Sequence, residues 1–291
     1  MSAVVELEQG STAWHKHRAL HANASEAATV MGVSPWEPDT WYKLWQLKTG
    51  RIKQAAAAPH LQRGAEMETK ARAAYEKLTG NIMQPMVLKK DGWLSASLDG
   101  ISFNGDLVLE IKCPSGGDKS NTWQRALASS VPEHYYWQVQ HQLHVSDAPV
   151  VHFWVFDGEK GLLIEQTPSA DDQRKLIQTW RDFWLYIKND VPPELTDKDT
   201  WLRDDAKWAV AADAYKAAKE AVRLAQESAE AARRMLIGMA DHPRVAGAGV
   251  TVTKYWQEGR INYAAVQELK GVQLSKYRAP KTEQVRITTE S

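Results

Sequence analysis

Between Asp99 and Lys112 the chain reads Asp-Gly-Ile-Ser-Phe-Asn-Gly-Asp-Leu-Val-Leu-Glu-Ile-Lys. Alternate side chains of an extended strand share a face, so Glu110 and Lys112 project together while Ile111 turns the other way. Asp99 begins the run before the turn, and Asn104-Gly105-Asp106 supplies residues for a tight reversal that folds Asp99 back beside Glu110. Two carboxylates held at one point repel unless a cation lies between them, and hard oxygen donors select magnesium or manganese over zinc. With a lysine at the same point, the chemistry is metal-assisted hydrolysis of a phosphodiester. The same residues also have a bland reading, in which Glu-x-Lys decorates a solvated sheet face and Asp-Gly is only a turn. Against it stands the apolar run ahead of Glu110, which suits a strand inside a covered α/β sheet, where an emerging charge needs a reason.

The surrounding pattern predicts what must position these groups. Residues 1–50 break into short helices, one opened by Ser25-Glu26 and another capped by Asp39 and ended by Gly50. The alanine run with Pro59 reads as a loop. A helix over Leu61–Leu78 follows, with Met67, Ala71, Ala74, Tyr75 and Leu78 on its apolar stripe. Glu66 and Glu68 both lie on it, but about 200° apart around the axis, so only one can face the acidic pair; Glu68 is the choice. Strands are expected at 83–88, 93–103, 106–112, 149–156 and 161–167, and helices at 119–128, 133–146 and 169–188. The fold class is therefore α/β, a central mixed sheet flanked by helices. The helix over 133–146 carries Gln138 and three histidines, His134, His141 and His144; these read as solvated or DNA-facing side chains, although His141 and His144 have a spacing that could ligate metal.

At 291 residues the chain can bury a full core. Its 36 basic and 36 acidic residues balance, so net charge leaves no nucleic-acid footprint and DNA binding would rest on local patches. The single cysteine, Cys113, excludes a disulfide framework and a four-cysteine cluster, fits a reducing cytoplasm, and reads as a small filler. No signal peptide or bilayer-spanning segment is evident. Most of the thirteen tryptophans are expected to anchor the core, with one or two able to stack on bases. The composition divides the chain into a domain over 1–195, a long alanine-rich helical arm over 196–240 after Pro192-Pro193, and a C-terminal extension over 241–291 with a strand at Val250–Thr253, a short helix and an extended tail.

Several motifs in order resemble the lambda exonuclease and YqaJ-type viral recombinase family, within the PD-(D/E)XK restriction-endonuclease-like fold. They are Trp14-His15-Lys16-His17-Arg18 with Ala24-Ser25-Glu26, then Arg63-Gly64 with Glu68 and Ala71-Arg72, Leu98-Asp99-Gly100, Glu110-Ile111-Lys112-Cys113-Pro114, and Gln138-Val139-Gln140. The resemblance spans about residues 9–190, and Lys270-Gly271-Val272 and Tyr277-Arg278 extend it to the C-terminal part of phage members. Ser97 stands where the family often has proline before the aspartate.

The resemblance implies that Asp99, Glu110 and the Ile111 carbonyl hold catalytic metals, with Glu68 at a second ion, directly or through water. It implies that Lys112 orients or deprotonates the attacking water, that Gln138 holds the water or the scissile phosphate, and that Arg18 and Ser25 receive a terminal 5′ phosphate. The implied activity is 5′-to-3′ digestion of linear duplex DNA, leaving 3′ overhangs for recombination by strand annealing. Two Mg2+ ions per site with Mn2+ as a substitute, a ring-like homotrimer, a single-strand annealing protein as partner, and a phage or prophage protein in a bacterial cytoplasm come with it. A catalytically silent recombination scaffold and an endonuclease of the same fold are the rival readings.

Overall fold

The computed structural model describes residues 2–52, 59–254 and 271, without the side chains of 59–66. Two compact units divide the chain after Trp201. The first is built on a seven-stranded mixed sheet in the order β1-β3-β4-β5-β6-β7, with a short β2 beside β4. Its strands are β1 (Ser2–Val5), β2 (Ala22–Asn23), β3 (Gln84–Lys90), β4 (Leu94–Ile101), β5 (Val108–Lys112), β6 (Val151–Phe156) and β7 (Gly161–Gln166). β5 and β6 are parallel, pairing Val108 with Val151 through Lys112 with Val155; β3, β4 and β5 form an antiparallel meander.

Helices α1 (Thr12–Ala19), α2 (Ala27–Val30), α3 (Trp41–Lys48), α4 (Pro59–Thr79), α5 (Asn121–Leu127), α6 (Glu133–Ser146) and α7 (Ala170–Asn189) surround it. The larger apolar cluster unites Leu44 and Trp45 of α3, Val139 and Leu143 of α6, Phe153 and Val155 of β6, and Leu176, Trp180 and Phe183 of α7. A second cluster packs Ala71 and Tyr75 of α4 on Leu109, Ile111, Trp154 and Phe156. The Trp154 indole donates to the Ala71 carbonyl at 3.1 Å, so the one polar atom of that ring is satisfied inside the cluster.

Local boundaries differ from the pattern-based expectation at several places, three of them close to the site's supporting elements. The helix expected from Leu61 starts at Pro59, since proline suits a first helical position, where its missing N–H costs nothing. The cap of α3 is Thr40, whose hydroxyl accepts from the Lys43 N–H, while Asp39 pairs with Lys43 and Lys198. The link between β4 and β5 is a six-residue loop over 102–107 that contains Asn104-Gly105-Asp106, closed by Ser102 N–H to the Leu107 carbonyl and by the Ser102 hydroxyl to Asp106, and so longer than a tight reversal.

The second unit contains α8 (Ala206–Met239), with no buried residue, started by the Asp205 carboxylate accepting from Trp208 N–H and laced by Arg223 to Glu220 and Glu227 and by Arg233 to Glu230. β8 (Arg244–Gly247) and β9 (Val250–Thr253) form an antiparallel hairpin after it. The short helix and tail expected beyond residue 254, and the alanine run at 55–58, lie outside the described residues. No helix among the described residues is long and apolar enough to cross a membrane.

Candidate active site

The acidic strands meet as the alternation requires, by a device the alternation does not contain. Between the pairs Met86–Leu98 and Gln84–Ile101, β4 advances three residues while β3 advances two. That extra residue is a bulge in β4 over the interval holding Asp99 and Gly100, and bulges re-aim side chains. Leu98 and Ile101 consequently both join the larger apolar cluster. A Cβ on Gly100 would lie 2.7 Å from the Met83 Cβ and 3.3 Å from the Leu109 Cβ, so only glycine lets the bulged strand pass. The β4–β5 ladder pairs Gly100 with Leu109 and Ile101 with Val108. One step further along that register Asp99 faces Glu110, and the Asp99 Oδ2 accepts the Ile111 N–H at 2.7 Å in place of a ladder bond.

Glu110 is 2% exposed and is hydrogen-bonded through both oxygens. Its Oε1 takes the Lys112 ammonium at 2.5 Å and the Gln138 amide at 2.8 Å, and its Oε2 takes the Gln142 amide at 2.5 Å. Lys112 also donates to Gln138 Oε1 at 3.3 Å and rests over the Tyr135 ring, 4.4 Å from its centroid. Burial opposes the Lys112 charge, but Glu110 foremost, with Asp99, holds its pKa above the ordinary lysine value. Glu68 reaches the same region from α4. Its Oε1 binds Arg72 at 2.6 Å, and Arg72 donates through Nε to the Asp99 carbonyl at 2.9 Å. Burial, then Glu110 and Glu68, raise the Asp99 carboxyl well above the usual carboxylate range against the pull of Lys112 and the Ile111 N–H. Burial raises Glu68 as well, with Glu110 adding and Arg72 and Lys112 opposing.

This donor set fits a hard divalent cation: the gathered groups are carboxylates in mutual repulsion, which positive charge would relieve. Among the described residues no three His, Cys, Asp or Glu side chains are gathered closely enough to hold an ion by themselves. Asp99 and Glu110 would hold it with the Ile111 carbonyl and water completing the shell, and Glu68 standing by.

Arg18 and Ser25 are also brought together. The Ser11 hydroxyl caps α1, placing Arg18 in its last turn, and Ser25 sits in the 3-10 turn after β2, where it accepts from the Arg18 guanidinium at 2.9 Å. Asn23, not Ser25, caps that turn, in a capping box with Glu26. Glu26 binds the Lys48 ammonium at 2.7 Å and stands 3.8 Å from Arg18. Both cations line a pocket of about 360 Å³ with Ser25. Ser97, the residue in the usual proline position, accepts from the Trp14 indole at 2.8 Å and so ties α1 to the strand that carries Asp99.

The histidines depart from expectation. His141 is wholly buried behind the site, its Nδ1 accepting from the Trp180 indole at 3.1 Å, and it faces neither solvent nor DNA. His134 is half-buried against Trp36 and Tyr135. Three contributors escaped the sequence analysis. Gln142 lies one helical turn past Gln138, an i,i+4 spacing that signals a shared face. Tyr135 and the structural role of Arg72 carry no spacing signal of their own. The side chains of Arg63, Gly64 and Glu66 lie outside the described residues.

A mixed sheet flanked by helices, with the acidic pair at a bulged strand end and a lysine two residues on, defines the PD-(D/E)XK nuclease fold. Residues 13–149 match the family profile of the YqaJ-like viral recombinase domain, and this segment contains Arg18, Ser25, Glu68, Asp99, Glu110, Lys112 and Gln138. The chain is similar to the crystal structure of an alkaline exonuclease, LHK-Exo, from Laribacter hongkongensis (22% identity, TM-score 0.51, covering 62% of this chain and 94% of that one). It is similar to the same enzyme in complex with dAMP (21%, 0.52, with 62% and 94% covered). A phage-related exonuclease from Haemophilus somnus 129PT aligns at 11% identity and TM-score 0.43 over 60% of this chain and 98% of that one. No curated protein matches the sequence.

Proposed function

We propose that the chain is a magnesium-dependent 5′-to-3′ exonuclease acting on linear double-stranded DNA and leaving 3′ overhangs for phage-type recombination by strand annealing. The observation that carries this reading is the gathering of Asp99, Glu110, Lys112 and Gln138 at the end of the bulged hairpin, with Glu68 approaching from α4. The match of residues 13–149 to the YqaJ-like viral recombinase profile and the likeness to LHK-Exo, an alkaline exonuclease, support it.

In this reading water attacks the phosphorus between the first and second nucleotides and the bond to the 3′ oxygen of the first breaks. A mononucleotide leaves, and the shortened strand carries a new 5′ phosphate. Mg2+, with Mn2+ as a substitute and two ions per site, supplies positive charge and a more acidic water when bound by Asp99, Glu110 and the Ile111 carbonyl, with Glu68 at the second position. Lys112 orients the attacking water, fixed by Glu110 and by its seat on Tyr135. Gln138 bridges Glu110 and Lys112 and keeps their geometry as the phosphate enters. Arg18 offers a planar fork to the terminal 5′ phosphate and Ser25 a hydroxyl, which sets polarity. A ring-like homotrimer, a single-strand annealing protein as partner and a bacterial cytoplasm complete the proposal.

Linear duplex with a 5′ phosphate and magnesium should be shortened from its 5′ ends, and Glu110→Ala or Lys112→Ala should abolish this while circular dichroism stays unchanged. Full activity in either variant overturns the assignment. Binding of duplex ends without hydrolysis in the wild type would make the chain a scaffold, and cutting of closed circular DNA would make it an endonuclease.

A further inference from the structure

Trp36 connects the two halves of this site. It lies on the loop between α2 and α3 and is 54% exposed, whereas Trp45, Trp123, Trp137, Trp154 and Trp180 are buried in the core. It lines the pocket that holds Arg18, Ser25 and Lys48. On its other side it meets His134 edge-on, with centroids 4.7 Å apart, and Tyr135 at 5.7 Å. Tyr135 in turn carries the Lys112 ammonium. The loop is held by the Ser34 hydroxyl, which donates to the Trp36 carbonyl at 2.7 Å and accepts from its N–H at 3.3 Å. The indole is thus braced from one side and open on the rest, with a phosphate-binding chemistry at one end and the hydrolytic groups at the other.

We propose that Trp36 is a stacking platform for the 5′-terminal nucleobase of a DNA strand whose phosphate sits in the Arg18–Ser25 pocket. This rests on the nuclease reading above. The pocket suits the anion: Arg18 and Lys48 stand against the carboxylate of Glu26, and Glu37, also at its rim, is paired with Lys43 at 2.7 Å, a cation it shares with Asp39, which Lys198 also contacts. The next groups along the strand from that phosphate are its sugar and base, and the next surface from the pocket toward Lys112 is the indole. Every base offers a π-face, so a platform of this kind accepts all four and adds affinity without sequence preference. It would also hold the first base unpaired, directing the following phosphate toward Lys112.

The test is a binding cycle on the full chain, with calcium replacing magnesium. Duplexes with a 5′ phosphate carry either a normal 5′-terminal nucleotide or an abasic one. The wild type should bind the abasic end about 5- to 150-fold more weakly, the range for one base–aromatic stack. Trp36→Ala should show the same loss on the normal end and no further loss on the abasic end, while Trp36→Phe keeps most of the discrimination. Indifference of the wild type to the abasic end overturns the proposal, as does discrimination retained by Trp36→Ala, or a Trp36→Phe variant as weak as Trp36→Ala. The readout is independent of cleavage. Hydrolysis without base discrimination removes the platform and keeps the nuclease; discrimination without hydrolysis under magnesium does the reverse; no binding of ends removes both.

Discussion

Replacing Gln142 by leucine separates holding the fold from holding the site. The Gln142 amide donates to Glu110 Oε2 at 2.5 Å inside a region closed to solvent, while its own Oε1 is buried without a partner. A hydrogen bond to a charged group contributes about 1.5–3 kcal/mol, and an unpartnered buried oxygen costs about 1–3 kcal/mol. Leucine loses the first, leaves Glu110 Oε2 without that donor and recovers the second at similar volume, so the net destabilisation should be modest, about 1–3 kcal/mol by urea unfolding. Glu110 keeps Gln138 and Lys112 on its other oxygen, but its carboxylate is no longer clamped from both sides. Loss of an orienting partner of this kind typically costs about 10- to 100-fold in activity or metal affinity. The expected outcome is therefore a folded protein whose stability falls by about 1–3 kcal/mol, with kcat on 5′-phosphorylated duplex reduced by that factor. Wild-type turnover in Gln142→Leu, or a stability loss of about 4 kcal/mol or more, would show that the amide holds the core together and not the carboxylate.

Gly100→Ala places a methyl against the Met83 and Leu109 Cβ atoms, neither of them the flexible tip of a side chain, and should cost about 1–3 kcal/mol in urea unfolding; unchanged stability would mean that the bulge relaxes freely. Arg18→Lys keeps the charge and loses the planar fork, so the preference for a 5′ phosphate over a 5′ hydroxyl should fall about tenfold or more in kcat/KM, and a preserved preference removes Arg18 from the pocket's function. Burial first, then His144, hold His141 at a pKa of about 3 against an ordinary 6.5. Because the unfolded chain takes up the proton first, this contribution is whole above pH 6.5 and declines as pH falls toward 3, by about 2 kcal/mol at pH 5. His141→Gln should flatten that part of the pH dependence of unfolding, and an equally steep curve in the variant would locate the titration elsewhere.

The parts of the fold legible in the sequence are those fixed by local period. Residues 107–109 form the apolar run of a covered strand, α4 and α7 carry apolar stripes, and these elements fall close to where the pattern puts them. β1 was not legible, because Ser-Ala-Val-Val is too short to display a period and becomes a strand only by pairing Ser2–Val5 with Lys90–Val87. The bulge at Asp99–Gly100 has the same origin: it is a mismatch between the advance of β3 and that of β4, and neither strand states it alone. The Asp-Gly dipeptide was visible, but its glycine answers to Met83 across the sheet and not to a turn.

Helix α6 gives the reason part of the site lay hidden. Its central run Gln-Val-Gln-His-Gln-Leu has four polar residues of six, and polar helix positions ordinarily face water. Here Gln140, His141 and Gln142 are all wholly buried. Each serves a different neighbour: Gln140 accepts the Ser169 N–H and donates to the Thr167 carbonyl, His141 accepts from Trp180, and Gln142 donates to Glu110. An apolar α6 would leave Glu110 buried against Lys112 with half its oxygens unsatisfied, and a buried charge without hydrogen bonds is among the costliest features a core can hold. The polarity of α6 at Gln138 and Gln142 therefore follows from the carboxylate at the end of β5. Sequence hydropathy assigns that helix to solvent because it weighs each residue against water, whereas Gln138 and Gln142 are balanced against a charge supplied by a strand about thirty residues earlier, and Gln140 and His141 against groups on and before α7.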